Sequence, residues 1–399
     1  MSSSISPFYR PGVFPALSNR LLSSASQTLR LAINQQIYIK TVYSNPLRVT
    51  GLPLTTTKGF TYLIAASWHP KRKRQTVNSI PGGGHPWWKE RMRAGKVDAG
   101  EDAFFYVGTN NGVALGVADG VGGWSQMGVD PANFSWALMD NAASVAKDNA
   151  PDLSPFIAPS GYNDILDAKQ ILSGAFENLI KSGKVKAGSS TACILSLSKS
   201  SGILNAATLG DSAYILIRNG ALLYESPSQQ HFFNCPFQLT IVPESYPNQK
   251  LYFKDKPSDA QQTSHQLQDG DVILLATDGF FDNVFADEAV EIVNRELHDV
   301  MGHDGMVREK DLEKLRTHVR RLSRRLTDTA RRFSLDPRRI SPFSQSAKQN
   351  GEIRIGGKVD DITVLVTKQS AYKKQKYYII PFQYDMFMRN VKKKKIIFN

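Results

Sequence analysis

Long apolar runs and cysteine are both scarce in this chain of 399 residues. No stretch approaches the roughly 18 consecutive apolar residues that a membrane-spanning helix needs, which argues against a transmembrane segment. Only two cysteines are present, Cys193 and Cys235, and two cannot build the disulfide framework of a secreted scaffold. Their spacing matches no zinc motif, so both are expected to be buried thiols in a reducing compartment.

Acidic residues are missing from the first 89 positions, which carry a net charge of +11. Residues 371–399 add a further +7, so residues 90–370 have a net charge of −5 within a chain of +13. A nucleic-acid-binding domain is instead expected to carry a basic face on its folded body. The distribution therefore argues against a nucleic-acid partner and leaves binding through the basic termini as a minor hypothesis.

The acid-free start of the chain has the composition of a mitochondrial transit peptide, rich in serine and leucine with regularly spaced Arg10, Arg20 and Arg30. A disordered basic leader is the alternative. We assign residues 1–70 to this leader, 71–94 to a linker, 95–368 to a folded domain and 369–399 to a basic extension. The expected location is mitochondrial, in the matrix or at the inner membrane.

Hydrophobic periodicity predicts an α+β domain. Helices are predicted at residues 134–146, 165–179 and 312–326. Strands are predicted at residues 103–107, 113–118, 191–197, 203–209, 212–218, 221–224, 271–276 and 362–366. Because the strands come in consecutive blocks with helices between them, antiparallel sheets are favoured over a Rossmann-type repeat.

Carboxylates stand where the predicted strands end. Asp119 and Asp278 each follow an apolar strand and precede glycine, and Asp211 follows Leu209-Gly210. Further acids flank two other strands: Glu101, Asp102, Asp360 and Asp361. Any one Asp-Gly pair is more often a turn than a ligand, and Asp269-Gly270 is interpreted as turn only. Asp282 is interpreted as the cap of the next helix.

Clustered carboxylates repel one another unless protons or cations neutralise them. Oxygen ligands without clustered histidine favour Mg²⁺ or Mn²⁺ over zinc. Two such ions can activate water for attack on phosphorus, and neither a Cys-x5-Arg loop nor a Gly-x-Ser-x-Gly elbow is present to form a covalent intermediate. Asp119 is the best candidate to bridge two ions, because Gly120 lets the backbone approach closely and offers its carbonyl.

Several motifs in this order and spacing resemble the metal-dependent type 2C serine/threonine protein phosphatases. They are Gly100-Glu101-Asp102, Ala118-Asp119-Gly120-Val121-Gly122-Gly123-Trp124, Gly188-Ser189-Ser190-Thr191-Ala192, Leu209-Gly210-Asp211-Ser212, Ala276-Thr277-Asp278-Gly279 and Val359-Asp360-Asp361-Ile362-Thr363. The resemblance covers about residues 95–368. The Asp-Gly-Val-Gly-Gly-Trp stretch and residues 231–239 and 341–343 resemble the corresponding segments of the mitochondrial branch of this family.

The resemblance implies two antiparallel β-sheets that form a central sandwich flanked by helices, with the metals at one edge. It implies a monomeric enzyme that hydrolyses phosphoserine and phosphothreonine in proteins. Motif matching gives Asp119, Gly120, Asp278 and Asp360 to the first Mg²⁺ or Mn²⁺ ion, with Asp119 shared by both. Glu101 and Asp102 serve the second ion mostly through water, and Asp211 with Asp278 holds a third, weaker one.

Two departures from the family pattern support an alternative. Many members carry a proposed general acid, His, where this chain has Val121, and the usual phosphate-binding Arg upstream of Glu101 is missing. Lys96 and Arg93 lie near that position. The alternative is therefore a catalytically weak relative that keeps the fold and binds phosphoproteins.

Overall fold

The computed structural model describes residues 59–71, 96–109, 111–148, 165, 167–246, 248–300, 312–370 and 378–379. The predicted transit peptide and most of the linker lie outside these residues. The chain divides into two units after Thr57, and all of the described residues belong to the second unit.

One sheet contains six strands, in the order β15-β1-β14-β13-β7-β8. It is antiparallel except for the pairing of β1 with β15. The strands are β1 (Thr61–His69), β7 (Ala213–Arg218), β8 (Ala221–Glu225), β13 (Val272–Ala276), β14 (Ile362–Ser370) and β15 (Tyr378–Ile379). The β7–β8 turn is the predicted Asn219-Gly220, and both residues have positive φ, as a two-residue hairpin turn requires.

The second sheet contains five antiparallel strands, in the order β12-β6-β5-β3-β2. The strands are β2 (Asp102–Gly108), β3 (Gly112–Asp119), β5 (Ala192–Ser198), β6 (Ile203–Leu209) and β12 (Gln261–Gln266). Short strands outside the two sheets are β4 (Gly188–Ser190), β9 (Gln230–Phe232), β10 (Cys235–Pro236) and β11 (Leu239–Ile241). They form two separate pairs, β11 with β4 and β10 with β9.

Helices cover the outer faces of both sheets. The helices are α1 (Pro131–Asp148), α2 (Ala168–Ser182), α3 (Asp278–Phe281), α4 (Ala286–Leu297), α5 (Leu312–Ser334) and α6 (Pro342–Gln349). One apolar cluster joins α1 and α2 to the five-stranded sheet, and a second joins α4 and α5 to the six-stranded sheet. A third fills the space between the sheets. The predicted α+β sandwich flanked by helices is therefore confirmed.

Strand β1 was not predicted, because residues 1–70 were assigned to the leader on their charge. Thr61–His69 instead pairs with β14 along its whole length, from Thr61 opposite Ser370 to His69 opposite Ile362. Its side chains alternate between layers, since Leu63 packs towards the helices and Ile64 between the sheets. The sheet therefore begins within the predicted leader, ahead of the predicted domain boundary at residue 95.

Two further observations concern the termini and the cysteines. Tyr378–Ile379, in the predicted basic extension, forms the parallel strand β15 beside β1. Cys193 and Cys235 are buried and free, as predicted. None of the helices within the described ranges is long and apolar enough to cross a membrane.

Candidate active site

The strand-end carboxylates meet at one edge of the sandwich, because the antiparallel registers bring distant strand ends together. Asp102 opens β2 directly opposite Asp119, the last residue of β3. In the other sheet, Ala276 at the end of β13 pairs with Val364 in β14, so Asp278 and Asp360 lie at the same end. The Asp102 carboxylate joins the sheets by accepting a 2.9 Å hydrogen bond from Thr277 Oγ1.

The turn after β3 is held by the Gly-Ser-Ser-Thr motif. Thr191 Oγ1 accepts from the Asp119 backbone N–H at 3.1 Å, and Ser190 Oγ donates to the Asp119 carbonyl at 2.8 Å. Trp124, which is buried, donates from Nε1 to Ser189 Oγ at 2.7 Å. The motif therefore acts as a scaffold that fixes the position of Asp119.

Glycine is required beside the carboxylates because backbone packs against it. A Cβ on Gly120 would lie 2.6 Å from the Pro131 carbonyl oxygen, and a Cβ on Gly279 only 1.9 Å from that of Asp361. Neither neighbour is a flexible side chain that could turn away. Both Asp-Gly pairs therefore bring a second backbone segment close to the carboxylate.

Replacing Gly279 with alanine is expected to destabilise the fold by about 3 kcal/mol, since the added methyl forces β14 and α3 apart. Urea unfolding followed by circular dichroism measures the change. Gly59→Ala is the matched control, because its Cβ would meet only Lys199 O at 3.8 Å. Equal stability of the two variants would contradict the interpretation that close backbone packing requires glycine at position 279.

Two lysine side chains lie among the carboxylates, and neither was predicted. Lys71 Nζ lies 2.8 Å from Asp360 and 3.0 Å from Glu101. Lys358 Nζ lies 2.5 Å from Asp278 and 3.3 Å from the second oxygen of Asp360. Asp360 is therefore shared by both ammonium groups.

Burial and mutual repulsion govern the protonation of these carboxylates. Burial first, then the charge of Asp278, raises the pKa of Asp119 well above its ordinary value. Burial raises the pKa of Asp102 in the same way, with Asp361 as its strongest neighbour. Burial acts in the same direction on Asp360, but the Lys358 and Lys71 ammonium groups together with its hydrogen bonds outweigh burial, and the pKa of Asp360 is lowered.

Lys358 belongs to a second small network that sequence reasoning missed. Its ammonium lies 2.6 Å from Asp282, which is the C-terminal cap of α3 and does not cap α4 as predicted. Burial raises the pKa of Asp282 to about 7. Asn283 holds the Lys358 backbone at both ends, donating to its carbonyl at 2.8 Å and accepting from its N–H at 2.9 Å.

The last motif differs in role from the strand-end aspartates. Asp361 accepts backbone hydrogen bonds from Glu101 at 2.9 Å and from Lys71 at 2.6 Å. Both oxygens are therefore used to tie β1 and β2 to β14. Lys96, considered for the missing phosphate-binding position, pairs with Asp140 instead, and Arg93 lies outside the described residues.

The donor set fits hard divalent cations. Among the residues that the structure describes, three buried carboxylate oxygens accept no hydrogen bond, and they belong to Asp102, Asp211 and Asp278. Buried acceptors of this kind are costly unless a cation satisfies them. Within the described residues no three His, Cys, Asp or Glu side chains are already arranged around one point as metal ligands. The lysine ammonium groups lie between these carboxylates and balance part of their charge.

Comparisons with known proteins agree with this picture. The chain is 37% identical over 277 residues to the human protein phosphatase PTC7 homolog, covering 68% of this chain and 80% of that protein. It is 38% identical over 269 residues to the Drosophila mojavensis PTC7 homolog fig, with coverage of 67% and 77%. The crystal structure of the photosystem II phosphatase PBCP matches at 27% identity and a TM-score of 0.54, covering 78% of this chain and 100% of that one. No family model matches.

The fold and the carboxylate edge define a metal-dependent protein serine/threonine phosphatase of type 2C. More narrowly, the chain belongs to the family of the PTC7 protein phosphatase homologs. The resemblance drawn from the motifs is therefore confirmed.

Proposed function

We propose that this phosphatase hydrolyses phosphoserine and phosphothreonine at the edge of the sandwich where its carboxylates meet, using two Mg²⁺ or Mn²⁺ ions. The supporting observation is that Asp102 and Asp278 carry buried oxygens without a hydrogen bond at this edge. When bound, such ions would supply a hydroxide nucleophile and would balance the charge on the phosphoryl group.

The residues take distinct roles in this proposal. Asp119, with Gly120 offering its carbonyl, would be shared between the ions, and Asp278 and Asp360 would complete the first site. Glu101 and Asp102 would serve the second site, and Asp211 with Asp278 would provide a weaker third. The rigid sheets fix these groups before substrate arrives, and preorganisation of this kind is a large part of catalysis.

Lys71 takes the place of the missing phosphate-binding arginine. Its ammonium already lies among the site carboxylates, and 29% of its side chain is exposed. Burial alone would lower its pKa, but the carboxylates, Asp360 first, raise the pKa overall. A permanently charged and partly exposed ammonium is suited to orient the phosphate oxygens.

The experiment is phosphate release from a phosphoserine peptide by the full chain. We expect turnover with Mn²⁺ or Mg²⁺ and none in excess EDTA, because water is not activated without the ions. Thermal unfolding should also shift upwards on adding Mn²⁺, since a ligand that binds only the native state stabilises it. Equal turnover with and without EDTA would exclude the proposal.

We further propose a mitochondrial location. The support is the acid-free leader together with the division of the chain after Thr57. A fluorescent protein carrying residues 1–57 is expected to enter mitochondria, whereas the same fusion with Arg10, Arg20 and Arg30 changed to glutamine should not. A wild-type leader that leaves the reporter in the cytosol would contradict this location.

A further inference from the structure

A cavity of about 650 Å³ lies between α4 and α5, on the outer face of the six-stranded sheet. Arginine dominates its lining. We call this cavity the arginine groove and define it by Arg295, Arg321, Arg324, Arg325 and Arg332. None of these residues belongs to the carboxylate edge, so the proposed catalytic reaction does not explain them.

The arginine groove results from the way apolar and basic residues are distributed along α5. Its apolar residues Leu315, Leu322 and Leu326 are fully buried against the sheet. Arg321, Arg325 and Arg332 recur at spacings of four and seven and are exposed along one side of the helix, beside the apolar face. The apolar face therefore anchors the helix, and the basic stripe is held outward without being needed for packing.

The positive charge in the groove exceeds its local compensation. The five arginines face three lining acids, Glu288, Glu291 and Asp328. Glu288 is already paired at 2.5 Å with Arg339, which is not part of the groove. When Arg339 and the buried Glu296 beneath the groove are counted as well, six guanidinium groups meet four carboxylates, so the groove keeps a net positive charge that favours an incoming anion.

One acid from beneath the groove holds two of the arginines in place. Glu296, which is buried, lies 2.6 Å from Arg321 Nε and 3.2 Å from Arg325 Nε. It orients two planar guanidinium groups while leaving about half of each side chain exposed, 53% and 48%. Guanidinium groups fixed in this way bind carboxylates in a bidentate manner at a lower entropic cost.

Contacts connect the groove to the carboxylate edge. Arg339 pairs with Glu288, stacks on the ring of Phe333 at 3.4 Å and donates to the Asn283 carbonyl at 3.1 Å. Asn283 in turn holds the backbone of Lys358. Arg339 and Asn283 therefore link one end of the groove to the Lys358 loop.

We propose that the arginine groove binds an acidic segment of the phosphoprotein substrate, rich in Asp and Glu and outside the phosphorylated residue. This inference rests on the proposed phosphatase function and specifies its substrate class. Charge complementarity carries it, because an extended segment with alternating carboxylates meets successive guanidinium groups along α5.

The test compares three substrates on the full chain with Mn²⁺: p-nitrophenyl phosphate, a phosphoserine peptide with an Asp/Glu-rich flank, and the same peptide with a Ser/Gly flank. The variant is the double charge reversal Arg324→Glu with Arg332→Glu, both on the exposed side of α5. The matched control is Lys181→Glu with Lys184→Glu, which changes net charge equally at exposed positions in the last turn of α2 and just after the helix.

For the acidic peptide we expect KM to rise about tenfold in the groove variant with kcat unchanged. The other two substrates and the control variant should show wild-type KM. The difference should vanish at 0.5 M NaCl, because exposed charges are screened there. This pattern distinguishes peptide binding at the groove from a change in the active site, since hydrolysis of p-nitrophenyl phosphate depends on the active site alone.

Three outcomes would overturn the proposal. The first is an equal KM of the wild type for both peptides. The second is an equal rise in KM for the groove variant and the control. The third is loss of binding to phosphatidylserine vesicles by the groove variant with peptide KM values unchanged, which would assign the groove to lipid. If the wild type hydrolyses none of the substrates, the proposed function is wrong. Fluorescence anisotropy of the labelled acidic peptide then tests independently whether the groove binds that peptide.

Discussion

Replacing Asp119 with asparagine is expected to lower phosphate release by about 10³-fold or more. Asparagine keeps the shape of the side chain but removes the charge that would be shared between two cations. Asp119 lies opposite Asp102 in the register and interacts electrostatically with Asp278, so its loss affects both proposed ion sites. Phosphate release from a phosphoserine peptide at saturating Mn²⁺ measures the effect.

The same variant should fold normally. The Asp119 N–H and carbonyl make the bonds to Thr191 and Ser190, and these backbone groups are unchanged. In EDTA it should be at least as stable as the wild type, because one of several mutually repelling carboxylates is gone. Asp148→Asn, at the exposed end of α1, is the control and should keep full activity. An Asp119→Asn protein that retained wild-type turnover would refute the assignment.

Replacing Lys358 with methionine is expected to destabilise the metal-free protein by about 3 kcal/mol, because a buried charge left without its partner is costly. The Lys358 ammonium contacts Asp278, Asp282 and Asp360. Saturating Mn²⁺ should restore most of the loss, since the ions supply the missing positive charge. The stabilisation gained on adding Mn²⁺ is therefore larger in the variant than in the wild type, and urea unfolding in EDTA and in Mn²⁺ measures it.

Lys368→Met is the matched control for this experiment. Lys368 is also buried, but it donates to the Gly270 carbonyl, and burial lowers its pKa to about 8. Because it is not among the site carboxylates, its replacement should leave the Mn²⁺-dependent gain at the wild-type value. A Lys358→Met loss of equal size in EDTA and in Mn²⁺ would show that the lysine contributes only packing.

Local patterns predicted most of the sandwich. Ile203–Leu209 is a strand with the predicted bounds, and the helix predicted at residues 312–326 is part of α5. These elements bury a whole strand or one helix face, so their periodicity is visible in the sequence. Strand β1 was missed because its apolar residues lie in a segment whose basic charge and absent acids indicated a leader.

The residues of the candidate active site likewise fall into those that the sequence predicts and those that it does not. The identities of Asp119, Asp278 and Asp360 could be read from the chain because each adjoins a strand in a recognisable motif. Lys71, Lys358 and Asp282 could not, since each lies in a loop or at the end of a short helix, without a periodic signal. Only the packing of β1 beside β14, and of α3 beside the Lys358 loop, brings them to the carboxylates.

The sequence by itself thus determined the class of fold, the strand ends and the acids placed on them, because these depend on residues close together in the chain. Tertiary structure alone decided which lysine side chains lie among those acids and which arginines of α4 and α5 line the same groove. The physical reason is that charge pairing acts through space. Lys71 and Asp360 are 289 residues apart, and only the antiparallel register brings them within 2.8 Å.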